Sequence, residues 1–107
     1  MTPNGLPERV LLVFVDGLGW PPEPLDASMY ADLPTVRHLL AEHAVALDAT
    51  LGVPGLPQSA TGQTALMTGV NAAREMGRHV EGFPGPTLRE IIRTRNLYDQ
   101  LTALGFT

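Results

Sequence analysis

Six consecutive apolar residues near the start of the chain constrain its fold more than any other feature. Residues 10–15 read Val-Leu-Leu-Val-Phe-Val, and Asp16 and Gly17 follow directly. A run of this length without a polar break is typical of a strand that is buried on both faces, as in a parallel sheet. We therefore predict a strand over residues 9–16, with Asp16 at its carboxyl end.

The rest of the chain alternates between short helical patterns and loops. Apolar spacing and capping residues predict helices over residues 35–43, 59–68, 87–92 and 97–104, with Gly69 as the C-cap of the second and Asn96 as the N-cap of the last. Weak alternation predicts a second strand over residues 44–51. Between them, eleven glycines and ten prolines mark the loops. Strands that alternate with helices favour an α/β fold with a parallel sheet.

Charge and composition exclude several classes of partner. The 107 residues carry a formal net charge of -4 and include no cysteine. A disulfide framework and a thiolate metal site are therefore excluded, and the absence of a basic stripe argues against a nucleic-acid partner. The apolar run is too short to span a bilayer, and no signal peptide precedes it. We expect no membrane partner and a cytoplasmic location.

Asp16 is the first residue that could carry chemistry. In open α/β sheets, ligands bind outside the carboxyl ends of the strands, and a carboxylate at that position suits a divalent cation. Gly17 would let the backbone approach such an ion closely. The alternative is that Asp16 and Gly17 form an ordinary turn with no ligand.

Ser59 is the second candidate, because it stands between a loop rich in glycine and proline and a predicted helix. The N–H groups and the dipole of a helix start favour an anion such as phosphate. An N-cap role, with no chemistry, is the alternative for Ser59. Thr61 and Thr64 compete with it as hydroxyl candidates.

Arg78 and His79 form a third candidate group, because a cation and an imidazole stand side by side in a predicted loop. Together they could hold the oxyanions of a substrate. The alternative is a solvated loop pair. His38 and His43 lie five residues apart on one predicted helix, so we expect surface positions for them rather than a shared metal.

Taken together, these segments resemble the N-terminal portion of the alkaline phosphatase superfamily. Residues 10–19 are similar to the opening strand of cofactor-independent phosphoglycerate mutases and phosphopentomutases, and residues 59–63 to the mutase serine motif. Residues 59–70 also resemble the nucleophile helix of alkaline phosphatases. Gln58 departs from both patterns, because the mutases have Asn there and the alkaline phosphatases have a metal-binding Asp.

The resemblance implies a three-layer α/β/α sandwich with a parallel sheet, of which residues 1–107 would be the N-terminal part, incomplete at the C-terminus. It implies two divalent cations, zinc or manganese, with Asp16 and Ser59 as ligands and Ser59 as the nucleophile. The further Asp and His ligands of the family are not among these residues. We therefore expect the chain to supply half of a site and to be inactive alone.

The function that follows is metal-dependent phosphoryl transfer or phosphate-ester hydrolysis on a small phosphorylated or sulfated substrate. A sulfatase or phosphodiesterase on the same site is one alternative, and a catalytically inert truncated fragment is another. An incomplete sheet also predicts self-association through its open edge.

Overall fold

The computed structural model describes Gly5 and residues 9–106, and within these residues the regular structure is helical. The elements are a 3-10 turn at Leu25–Ala27 and five helices, which are α1 (Pro34–Glu42), α2 (Ser59–Thr68), α3 (Ala72–Met76), α4 (Pro86–Arg95) and α5 (Leu97–Ala103). The chain divides into two compact units, Met1–Ala44 and Val45–Thr107.

The predicted α/β/α sandwich is wrong, because the described residues contain no β-strand. Residues 10–15 are irregular, and their side chains are exposed by between 49% at Phe14 and 87% at Leu11. A parallel strand needs backbone hydrogen bonds to a neighbour and apolar burial on both faces, and this segment has neither here. The second predicted strand is also irregular, with Val45 82% exposed. Self-association of the chain stays a prediction, but the described residues contain no sheet edge through which it could occur.

In the first unit, the loop that precedes α1 is held by side-chain hydrogen bonds. The Tyr30 hydroxyl donates a hydrogen bond of 2.7 Å to the Gly19 carbonyl, and Tyr30 is only 4% exposed. The Ser28 hydroxyl donates to the Leu25 carbonyl at 2.8 Å and accepts the Tyr30 N–H at 3.2 Å. These local bonds, rather than a sheet, satisfy the buried polar groups of the loop.

The core of the second unit lies where α2 meets α3 and α4. Its buried apolar members are Ala60, Ala72 and Leu88, with Val80 and Ile91 packed against them. Because two of the three central residues are alanines, the helix backbones approach closely and Leu88 supplies the bulk of the apolar burial.

The buried face of α2 consists largely of threonines. Thr61, Thr64 and Thr68 are at most 5% exposed, whereas Leu66 on the same helix is 59% exposed. Thr64 donates to the Ala60 carbonyl at 2.7 Å, and Thr68 donates to the Thr64 carbonyl at 2.6 Å. Such bonds to the preceding turn let hydroxyls enter the core without an unpaired donor.

Several helix predictions are confirmed. The bounds of α2 are the predicted residues 59–68, and Gly69 ends the helix in the left-handed region at φ 71°. Asn96 caps α5 by accepting the Asp99 N–H at 2.9 Å. By contrast, α3 occupies a segment that was predicted to be irregular. No helix in the described part of the chain combines the length and the apolar character needed to cross a membrane.

Candidate functional site

Ser59 occupies the first position of α2. The N-cap is Gln58, which has extended backbone angles and makes no side-chain capping bond, so the alternative N-cap role of Ser59 is wrong. The Ser59 side chain is half-buried, and its hydroxyl has no hydrogen-bond partner among the described residues. A hydroxyl at this position is accessible and is fixed to the start of a ten-residue helix.

The first turn of α2 is bonded to another loop of the same unit. The N–H groups of Ala60 and Thr61 both donate to the Val80 carbonyl, at 3.0 and 3.3 Å, and the Gly62 N–H donates to the Gln58 carbonyl at 2.9 Å. Helix starts ordinarily leave these donors without an intrahelical partner. Here the Val80 carbonyl occupies two of them, so they are not available to a substrate oxyanion.

The hydrogen bonds to Val80 connect the helix start that carries Ser59 to the loop that carries Arg78 and His79. The loop that carries them begins after α3, where Gly77 adopts φ 67° and the Arg78 N–H donates to the Ala73 carbonyl at 3.1 Å. The Arg78 side chain is exposed and forms no ion pair or hydrogen bond with any described residue. Its guanidinium is thus available to an anion.

His79 is already engaged by the protein. Its Nε2 lies 3.0 Å from the Val53 carbonyl oxygen. Because a carbonyl can only accept, Nε2 carries the proton and donates, which leaves Nδ1 as the ring atom that could meet a ligand. A Cβ atom at Gly55 would lie 3.5 Å from the His79 ring, so the loop before Ser59 packs directly on the imidazole. His79 therefore joins the loops on both sides of Ser59.

Asp16 lies in the other unit of the chain. It is exposed and forms a turn with Gly17, whose φ is 78°. That geometry matches the alternative in which the pair makes an ordinary turn. The prediction that Asp16 and Ser59 share a cation stays a prediction.

The residues present do not by themselves make a metal centre. Within the described part of the chain, no three His, Cys, Asp or Glu side chains are grouped so as to hold an ion. Asp16 and Ser59 would offer one carboxylate and one hydroxyl, fewer ligands than the four that a zinc site takes. Any such site would need ligands beyond these.

The first unit also has a shallow open depression of about 400 Å³ beside α1. Arg37 lines it, but its guanidinium pairs with Asp26 and also donates to the Ala31 carbonyl at 3.3 Å. His38, which lines it too, meets the ring of His43 edge-on, with 5.1 Å between ring centroids. The helical spacing did not predict this contact, because His43 lies just beyond the end of α1.

Comparison with known proteins finds no match: no protein-family model, no curated protein and no solved structure is detectably similar to the chain. The resemblance to the alkaline phosphatase superfamily accordingly stays a prediction that depends on residues 10–19 and 59–70.

Proposed function

We propose that this chain supplies the nucleophile-bearing part of a metal-dependent phosphoryl-transfer enzyme, with Ser59 as the nucleophile. One observation carries the proposal: Ser59 starts a helix with a half-buried hydroxyl that has no partner among the described residues, and the first turn of that helix is bonded to the loop that carries Arg78 and His79. A nucleophile and a cation at one helix end are the parts that phosphoryl transfer needs from a protein.

The covalent step is an in-line displacement. A bond forms between the Ser59 oxygen and phosphorus while the bond from phosphorus to the leaving oxygen breaks. The serine proton is lost to solvent, and the leaving oxygen takes up a proton. Arg78 would hold a non-bridging oxygen through charge-assisted hydrogen bonds. The Val80 carbonyl occupies two of the helix N–H groups that would otherwise bind the substrate oxygens. Arg78 would therefore supply more of the charge stabilisation than it would beside an open helix start.

The two divalent cations, zinc or manganese, belong to the proposal through the resemblance, with Asp16 and Ser59 as this chain's ligands. When bound, such ions lower the pKa of an attached hydroxyl and neutralise developing charge. The remaining ligands would come from outside the residues described.

Turnover of an aryl phosphate by the assembled enzyme, in which this chain is joined by the remaining metal ligands and Zn²⁺ or Mn²⁺ is supplied, tests the role of Ser59. Ser59→Ala should abolish turnover and also the phosphoserine that an acid quench traps for mass spectrometry. Thr87→Ala is the matched control, because Thr87 is an exposed hydroxyl residue in the first turn of α4. Full turnover in Ser59→Ala, or a phosphoryl group on another residue, would refute the proposal. An aryl sulfate and a phosphodiester tested in parallel separate the sulfatase and phosphodiesterase alternatives.

A second candidate is that the chain is catalytically inert. The occupation of the Ala60 and Thr61 N–H groups by the Val80 carbonyl favours it, because that bond closes the helix start against an anion. Calorimetric titration with zinc or manganese tests the inert candidate. Stoichiometric binding of two ions that Asp16→Asn weakens would contradict the inert reading.

A further inference from the structure

Thr61 connects the helix that begins at Ser59 to the loop that carries Arg78 and His79. Thr61 is fully buried, and its hydroxyl accepts the Val80 N–H at 3.2 Å and lies 3.4 Å from the Gln58 carbonyl, to which it donates. In return, the Thr61 N–H donates to the Val80 carbonyl at 3.3 Å. Thr61 and Val80 thus hold each other through both backbone and side chain.

The same loop also holds the segment that precedes Ser59. Val80 follows His79, whose ring donates to the Val53 carbonyl at 3.0 Å. Along the chain, Ser59 therefore lies between Val53 and Thr61, which are bonded to His79 and Val80 respectively. Displacement of His79 and Val80 would move Ser59 relative to Arg78.

We propose that Thr61 is a positioning residue for Ser59, an inference that rests on the proposed function. Thr61 touches no reacting atom in this assignment. Its hydroxyl both accepts the Val80 N–H and donates to a carbonyl, which a valine of the same shape cannot do. Loss of the hydroxyl leaves the Val80 N–H without its acceptor and weakens the attachment of the loop to the helix start, where the two bonds to the Val80 carbonyl remain.

Thr68 offers a matched control at the other end of α2. It is 5% exposed, its hydroxyl donates to the Thr64 carbonyl at 2.6 Å, and it accepts the Val70 N–H at 3.2 Å. Thr68→Val therefore removes a buried hydroxyl with the same kinds of partner, but about two and a half helical turns from Ser59. Its effect measures general destabilisation alone.

The experiment compares Thr61→Val, Thr61→Ser and Thr68→Val by aryl phosphate turnover in the assembled enzyme and by amide hydrogen exchange. Thr61→Val should lower kcat about ten- to a hundredfold with little change in KM, because a misplaced nucleophile loses rate rather than affinity. Thr61→Ser should restore most of kcat. Amide exchange at Val80 and at Ala60, whose N–H donates to the Val80 carbonyl, should quicken about tenfold in Thr61→Val and stay near the wild-type rate in Thr68→Val.

Each outcome bears on one proposal or the other. If Thr61→Val keeps wild-type kcat while Ser59→Ala abolishes turnover, or if Thr61→Val and Thr68→Val lower kcat equally, the positioning role is overturned. If turnover is absent or survives Ser59→Ala, the proposed function fails, and amide exchange then decides the role of Thr61. Unchanged exchange at Val80 and Ala60 in Thr61→Val overturns that role.

Discussion

Replacement of Leu88 by alanine tests whether the packing of α2, α3 and α4 holds the second unit together. Leu88 is fully buried on α4, and its central neighbours in the core are Ala60 and Ala72. The change removes three carbon atoms, at about 0.8 kcal/mol for each buried methylene. The remaining cavity adds to this, because alanine side chains are too short to fill it. We expect a loss of about 3 kcal/mol in the free energy of unfolding.

That loss is large for a core of this size. Small domains rarely gain more than about 3–5 kcal/mol from a single apolar core. With a urea m-value of about 1–1.5 kcal/mol/M, the unfolding midpoint should fall by about 2 M or more. Urea unfolding followed by far-ultraviolet circular dichroism measures the shift, and loss of the cooperative transition would be the extreme form of the expected result.

Leu66→Ala is the matched control, because Leu66 lies on α2 but is 59% exposed. A surface substitution of this kind changes the free energy of unfolding by about 0.5 kcal/mol or less. The reasoning is refuted if Leu88→Ala and Leu66→Ala shift the midpoint equally, because Leu88 would then not be the centre of a packed core.

Two further predictions concern local backbone and charge. Gly62→Ala should stabilise α2 by about 0.5–1 kcal/mol, because the Cβ position at Gly62 is open. Gly69→Ala should destabilise α2 by about 1 kcal/mol, because Gly69 has φ 71°. Shifts of the same sign in the urea unfolding midpoint would contradict these two expectations. The Thr50 hydroxyl and N–H donate to Asp48 and hold its pKa below the ordinary value. The resulting stability is present above about pH 4, the unfolded range of an aspartate, and is lost as pH falls through the lower folded pKa. Thr50→Val should raise the Asp48 pKa in an NMR titration, and an unchanged pKa would count against the cause given.

Helix ends could be predicted from the sequence because their signals are local. Gly69 and Asn96 each act through bonds to residues within four positions, and both occupy the predicted caps. The same signals also bracket α3, where Asn71 accepts the Arg74 N–H at 3.0 Å and Gly77 takes φ 67°. A search for this pair of caps would have found the helix, although it has only five residues.

The strand at residues 10–15 could not be secured in the same way. Apolar composition states that a segment can be buried, but a strand exists only when another backbone lies beside it. In the structure, Leu11 is 87% exposed and Val13 is 70% exposed, so no partner covers them within the described residues. The segment is apolar, but the prediction that neighbouring strands cover it is wrong.

In the candidate site, too, the local features could be predicted from the sequence and the long-range contacts could not. The position of Ser59 at a helix start follows from the glycine and proline residues before it, and the sequence predicted that position. The bonds from Ala60 and Thr61 to Val80 span about twenty residues, and no local pattern reports them. Nor does hydropathy identify Thr61 as buried, because threonine enters a core only where a carbonyl accepts its hydroxyl.

Closure of the helix start by Val80 changes how a phosphoryl-transfer site could operate here. An open helix N-terminus would bind the transferred oxyanion directly through several N–H groups. In this protein two of those groups serve the fold, and the Ser59 N–H is the first-turn donor that has no carbonyl partner among the residues described. Under the proposed function, the helix would then hold the nucleophile in place, and charge stabilisation would come from Arg78 and from metal ions. Arg78 and Thr61 would therefore have separable roles, because Arg78 would act on substrate charge and Thr61 on the position of Ser59.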